Sequence, residues 1–128
     1  RSHNDAYGII THRRIIRMEI TDDTMPIEEA IMLSYNSMKE KELQAQVEEI
    51  AKLYGWTYYH TRNSIGSQAG FPDLVMLRGE REVVAELKSQ KGKITEPQKD
   101  WLKKFKKAGN ETFVWRPSDI RDIEEILS

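Results

Sequence analysis

Two carboxylates and an ammonium group fall where they can work together. Asp73 opens the run DLVMLR, and Glu86 and Lys88 close the run EVVAELK, with Gly79-Glu80 between them. Both runs read as strands, and a two-residue turn with Gly first suits the type II′ connection of a hairpin. Arg78 then faces Arg81, and counting back places Asp73 opposite Glu86. Side chains alternate with period two, so Asp73, Val75 and Leu77 share a face with Glu82, Val84, Glu86 and Lys88. Opposed carboxylates roughly 4.5–5.5 Å apart at Cβ repel, so this pairing gains nothing unless a positive charge sits between them. A hard divalent cation such as Mg²⁺ meets that need. It takes carboxylate oxygens and retains waters, which leaves room for a phosphate oxygen and a nucleophilic water. Taken singly, a Pro-Asp pair is an ordinary turn signal, and a Glu-Leu-Lys triplet is commonplace in a chain that is 32% charged. Their joint spacing is what points to a site.

The flanking elements must position these groups. From Glu40, the recurrence of Leu43, Val47, Ile50 and Tyr54 predicts a helix of about four turns that Gly55 stops. Glu40 projects toward the apolar face of that helix and Glu42 away from it. Glu40 is therefore a candidate third carboxylate, or else an exposed first-turn acid favoured by the helix dipole. TYYHT (57–61) reads as a strand, and NSIGSQAGFP as a loop leading into the hairpin. Thr95-Glu96-Pro97-Gln98 resembles a capping box that opens a helix carrying Trp101, Leu102, Phe105 and Ala108 on one face. Gln98 falls on that face, so it either caps the helix or reaches the site. Lys99, Lys103 and Lys106 lie on the far side, and Lys91 and Lys93 occupy the preceding loop. These lysines are candidate phosphate contacts, as are Arg62 and Ser64 near the start of the hairpin. Trp56, Trp101 and Trp115 are expected in the core. TFVWR forms a last strand before a short acidic helix from Ser118. The order helix, three strands, helix, strand implies one α/β sheet flanked by helices.

Composition limits the alternatives. At 128 residues a single domain is expected, and the formal charge of −1 favours no class of partner by itself. Charge is segregated, however. Residues 19–49 carry nine acidic and two basic side chains, whereas residues 88–107 carry eight Lys against Glu96 and Asp100. The absence of Cys excludes a disulfide framework, a thiol nucleophile and Cys-based metal sites. No run approaches the ~18 apolar residues of a membrane span or resembles a signal peptide, so a soluble, intracellular and cytoplasmic protein is expected. The start, Arg1-Ser2-His3, lacks an initiator Met and is set aside from the fold reading. RRIIRMEI (13–20) reads as a short strand or extended arm, and IEEAIMLSYNSM as a helix. Residues 1–38 are expected to form an N-terminal extension serving dimerisation or substrate binding, and residues 39–128 the main domain.

Gly70-Phe71-Pro72-Asp73, Glu86-Leu87-Lys88, Gly92-Lys93-Ile94-Thr95 with Gln98 and Trp101, then Gly109 and Val114-Trp115-Arg116-Pro117 occur in an order that resembles the VRR-NUC domain. This is a branch of the PD-(D/E)XK nucleases, and the chain resembles its small stand-alone bacteriophage members. The resemblance spans roughly Glu40 to Pro117. It implies a restriction-endonuclease-like αβββαβ core with a mixed sheet, and Mg²⁺- or Mn²⁺-dependent hydrolysis of DNA phosphodiesters. It also implies a homodimer that cuts branched DNA such as Holliday junctions, in the host cytoplasm if encoded by a bacteriophage. By the same resemblance Asp73, Glu86 and Glu40 are metal ligands, Lys88 orients or activates the attacking water, and Gln98 is the family's helix glutamine. Competing readings are a non-catalytic nucleic-acid-binding module, a nuclease acting on flaps or nicks, and an acidic protein-interaction domain.

Overall fold

A computed structural model describes residues 25–62 and 68–128. The expected strand at 13–20 and the candidate phosphate contact Ser64 lie outside the described residues. The elements are α1 (Ile27–Ser37), α2 (Glu40–Leu53), β1 (Thr57–His60), β2 (Leu74–Arg78), β3 (Arg81–Leu87), α3 (Glu96–Lys107), β4 (Glu111–Trp115) and α4 (Ile120–Leu127), with a 3₁₀ turn at Pro117–Asp119. The four strands form one mixed sheet in the order β1-β2-β3-β4. β2 pairs antiparallel with both β1 and β3, and β4 runs parallel to β3, which α3 makes possible as the crossover.

The hairpin has the expected register. Leu74 pairs with Ala85 and Arg78 with Arg81, so Asp73, one step beyond β2, lies across from Glu86. Gly79 has φ +60° and no residue other than glycine has positive φ among the described residues, as a type II′ turn requires. One sheet face presents Leu74, Met76, Val83, Ala85 and Leu87 to Leu43, Val47, Ile50 and Ala51 of α2 and to Ile120, Ile123 and Leu127 of α4. This is the main core, and it includes Trp56 and Trp115. The end of α4 is tied back to the hairpin: Arg78 donates to the Leu127 and Ser128 carbonyls, Arg81 to the Ile126 carbonyl, and the Trp56 indole to Leu127. Both guanidinium groups lie over the Trp56 ring, so the last carbonyls of α4 are satisfied by cations and an indole N–H.

Among the described residues the opposite face is covered only in part. None of the α3 side chains is fully buried. The helix docks through an aromatic group in which Phe71 meets Trp101 edge-on at 5.0 Å and Phe105 at 5.7 Å. Trp101 is therefore half-buried, contrary to the expectation that it belongs to the core, and Ala108 is exposed as the C-cap. The last strand also begins and ends one residue earlier than expected, at Glu111 and Trp115. Arg116 leaves the ladder because its guanidinium donates to the carbonyls of Ser89 and Gly92, at 2.7 and 2.8 Å.

Candidate active site

The gap beside α3 is a cleft of about 810 Å³ at the open end of the hairpin. Asp73, Glu86, Gln98, Glu40 and Arg62 all line it, so five of the expected site residues converge. Its floor is built by Asp73 and Glu86. Asp73 ends the regular pairing of β2, and its Oδ2 accepts the Leu87 backbone N–H at 2.7 Å. That bond fixes the Asp73 carboxylate across the strand gap and satisfies a backbone donor. Thr61 holds the approach from the other side, since its N–H donates to the Asp73 carbonyl and its hydroxyl to the Pro72 carbonyl.

Glu86 is the unusual group, being only 2% exposed. Its Oε2 accepts from the Gln98 amide at 3.0 Å, whereas Oε1 is buried and has no hydrogen-bond partner among the described residues. Burial, and then the charge of Asp73 with a hydrogen bond that a protonated Glu86 donates to it, push the Glu86 carboxyl up from 4.5 to about 8. Lys88 opposes this shift and Glu40 adds slightly to it. The two carboxylates thus demand either a proton or a cation between them.

Gln98 resolves the choice left open by the sequence by doing both jobs. Its Oε1 accepts the Thr95 N–H at 2.9 Å and its own N–H donates to Thr95 Oγ1, which completes a capping box, while the amide nitrogen reaches Glu86. The first turn of α3 is thereby locked to the acidic pair. Gly70 permits the approach: it has φ +85°, and a Cβ there would lie 2.5 Å from the Pro97 carbonyl carbon. Gly70→Ala is expected to destabilise the fold by ~2 kcal/mol or more and to displace Gln98 from Glu86. Thermal denaturation measures the first effect. An Ala variant as stable as the parent would mean that this contact is not tight.

The helix glutamates also separate. Glu42 accepts the Lys39 N–H at 3.0 Å as a cap, whereas Glu40 is exposed at the cleft wall. Lys88 differs from the image of an open cleft group. It is 8% exposed, with its side chain passing close to Gly92. Lys91, Lys93, Lys99, Lys103 and Lys106 are exposed and do not line the cleft, and Lys99 pairs with Glu96 at 3.0 Å. Sequence reasoning missed Tyr59 and Thr61 in the lining. Their alternation with Tyr58 and His60 in β1, set against β2, was the signal that could have found them.

A group of three or more His, Cys, Asp or Glu side chains close enough to hold a metal does not occur among the described residues. Asp73, Glu86 and Glu40 are the carboxylates among the cleft-lining residues. No helix among the described residues is long and apolar enough to cross a membrane.

No curated protein matches the chain. A solved structure described as a VRR_NUC domain protein has the same fold, with a TM-score of 0.55 at 21% identity, covering 71% of this chain and 91% of that one. The family model of the VRR-NUC domain matches residues 11–118, beginning inside the segment expected to be an extension. With a mixed sheet, an acidic pair at the open end of its hairpin and a glutamine-capped helix docked against that pair, the chain belongs to the VRR-NUC domain family and has a nuclease-type fold.

Proposed function

We propose that the protein is a divalent-metal-dependent deoxyribonuclease, a homodimer that hydrolyses phosphodiester bonds in branched DNA, four-way junctions included. The observation that carries the metal-dependent reading is the buried Oε1 of Glu86, which has no hydrogen-bond partner among the described residues, on a carboxylate that lies across the hairpin from Asp73. An orphaned carboxylate oxygen beside a second carboxylate suits a hard cation such as Mg²⁺ or Mn²⁺, which would take the place of the proton that the pair otherwise holds. Asp73 and Glu86 would hold the ion, with Glu40 as a further acidic group. When bound, such a cation polarises the scissile phosphate and makes a water more acidic. The chain's own groups do the rest. Gln98 occupies Oε2 of Glu86 and leaves Oε1 without a hydrogen-bond partner among the described residues. Lys88, on the same strand face as Glu86, supplies the positive charge that orients and activates the attacking water. Arg62, in the cleft lining, and the exposed Lys91, Lys93, Lys99, Lys103 and Lys106 neutralise the DNA backbone on either side.

Glu40→Gln is expected to lower cleavage by roughly 10-fold or more, as loss of a supporting ligand does, whereas Glu42→Gln keeps the cap acceptor and leaves turnover intact. The opposite ranking, read in one cleavage assay, would put the wrong face of α2 at the site. Symmetrical incision of a four-way junction needs two sites related by a two-fold axis, and Ile27, Met32 and Leu33 on α1 offer exposed apolar surface for pairing. The deciding experiment incubates the full chain with linear duplex, single strand, flap and four-way junction, each with Mg²⁺, Mn²⁺ or EDTA. Paired incisions on the junction with metal and none in EDTA are expected. Binding without cleavage in every metal would favour a nucleic-acid-binding module.

A further inference from the structure

Adjacent tyrosines in β1 have opposite fates. Tyr58 turns to the α2 side, where its hydroxyl donates to Glu48 at 3.1 Å. Tyr59 turns to the cleft side and is 64% exposed, with no hydrogen bond or ring contact to any described residue. Leu77, on the same open part of the sheet, is also exposed, because α3 packs against β3 and β4 and, among the described residues, no helix covers this face of β1 and β2. The exposed ring stands at the wall of a polar cleft, where its face is open to a ligand.

Its position relative to the acidic pair is fixed by pairing. The Thr61 N–H bonds to the Asp73 carbonyl, and Tyr59 pairs with Val75, so Tyr59 lies two residues along the strand from the level of Asp73. At strand spacing that is about 7 Å. That offset places the ring beside a phosphate held between Asp73 and Glu86, within reach of a neighbouring nucleotide. The other rings in the lining are already committed, with Trp101 edge-on to Phe71 and its indole donating to the Ala69 carbonyl. At about 810 Å³ the cleft has room for a nucleotide and not merely for an ion.

We propose that Tyr59 is a base-stacking platform that takes an unpaired nucleobase next to the scissile phosphate, and so favours DNA whose bases are already unstacked there. The inference rests on the nuclease reading for the position of the phosphate. Inside a duplex both faces of a base are covered by its neighbours, and freeing one costs energy that an unpaired base does not require. Stacking on an aromatic ring is tolerant of sequence, since every base has a π-face. Tyr59 would thus read the shape of DNA and not its sequence.

The test is binding in EDTA, where no turnover is needed. The full chain is titrated against a duplex carrying 2-aminopurine as a single unpaired base, and against the same duplex fully paired. Wild type is expected to prefer the unpaired probe by roughly 5-fold or more, with quenching of the 2-aminopurine on binding. Tyr59→Leu should abolish both the preference and the quenching, and Tyr59→Phe should retain both. Equal preference in Tyr59→Leu and wild type would overturn the proposal, as would a Phe variant that behaves like Leu. A loss of dimer in Tyr59→Leu by sedimentation would also overturn it, because the ring would then belong to a subunit interface. Failure of the wild type to cleave DNA with any metal would sink the nuclease reading while leaving this binding result readable.

Discussion

Glu86→Gln and Asp73→Asn are each expected to lower DNA cleavage by at least roughly 10²–10³-fold, the scale on which loss of one preorganised charge-stabilising group falls. Stability should move the other way. Gln is isosteric with the protonated carboxyl that burial and Asp73 favour at position 86, and its oxygen can still accept from Gln98. The amide oxygen introduced by Asp73→Asn can likewise still accept the Leu87 N–H. Both substitutions remove like-charge repulsion, so the variants should melt at or above the parent's temperature in EDTA, most clearly above pH 8. Inactivity joined to undiminished stability is the signature of a site whose acids serve function at a cost to the fold. Lys88 needs a different variant. Being buried, its truncation to Ala would leave a void, so Lys88→Met, which keeps the stem, is the informative change. Near-parental turnover in either carboxylate variant would remove the acidic pair from the chemistry.

The hairpin was legible because its information is local. Gly79 sets the turn, the turn sets the register, and the register puts Asp73 across from Glu86 without reference to anything else in the chain. The phase of α2 was legible for the same reason, since Leu43, Val47 and Ile50 mark the buried stripe and leave Glu40 at the cleft wall. What escaped depends on how distant elements dock. Nothing in the Glu-Leu-Lys triplet says that Glu86 and Lys88 are buried. That follows from the first turn of α3 being brought in over Gly70, and from Arg116 gathering the loop after Lys88. Trp101 sits on an apolar helix face at ordinary core spacing, yet it is half-buried because α3 covers half a sheet. Gln98 shows the limit from the other direction: capping and site roles were separable on paper, while the folded side chain uses one end for each.

The pH response of the metal-free protein should expose the acidic pair directly. In the unfolded chain Glu86 titrates near 4.5, and in the folded protein it is pushed up to about 8, so between these values the folded state holds a proton that the unfolded state has lost. The unfolding free energy then falls as pH rises, because its slope follows the difference in bound protons between unfolded and folded states. The contribution is complete below about pH 4.5, declines through neutrality and is gone above about pH 8, with a limiting slope of ~1.4 kcal/mol per pH unit. Glu86→Gln has no such proton, so subtracting its profile isolates the effect from every other titrating group. A divalent cation competes with that proton for the same oxygens. Mn²⁺ should therefore raise the melting temperature more at pH 8 than at pH 5.5, with apparent affinity rising up to tenfold per pH unit in between. Calorimetry in EDTA and in Mn²⁺ at four pH values measures both trends. Parallel parent and Glu86→Gln profiles in EDTA would show that Glu86 titrates normally. A Mn²⁺ shift that survives in Glu86→Gln would place the cation elsewhere.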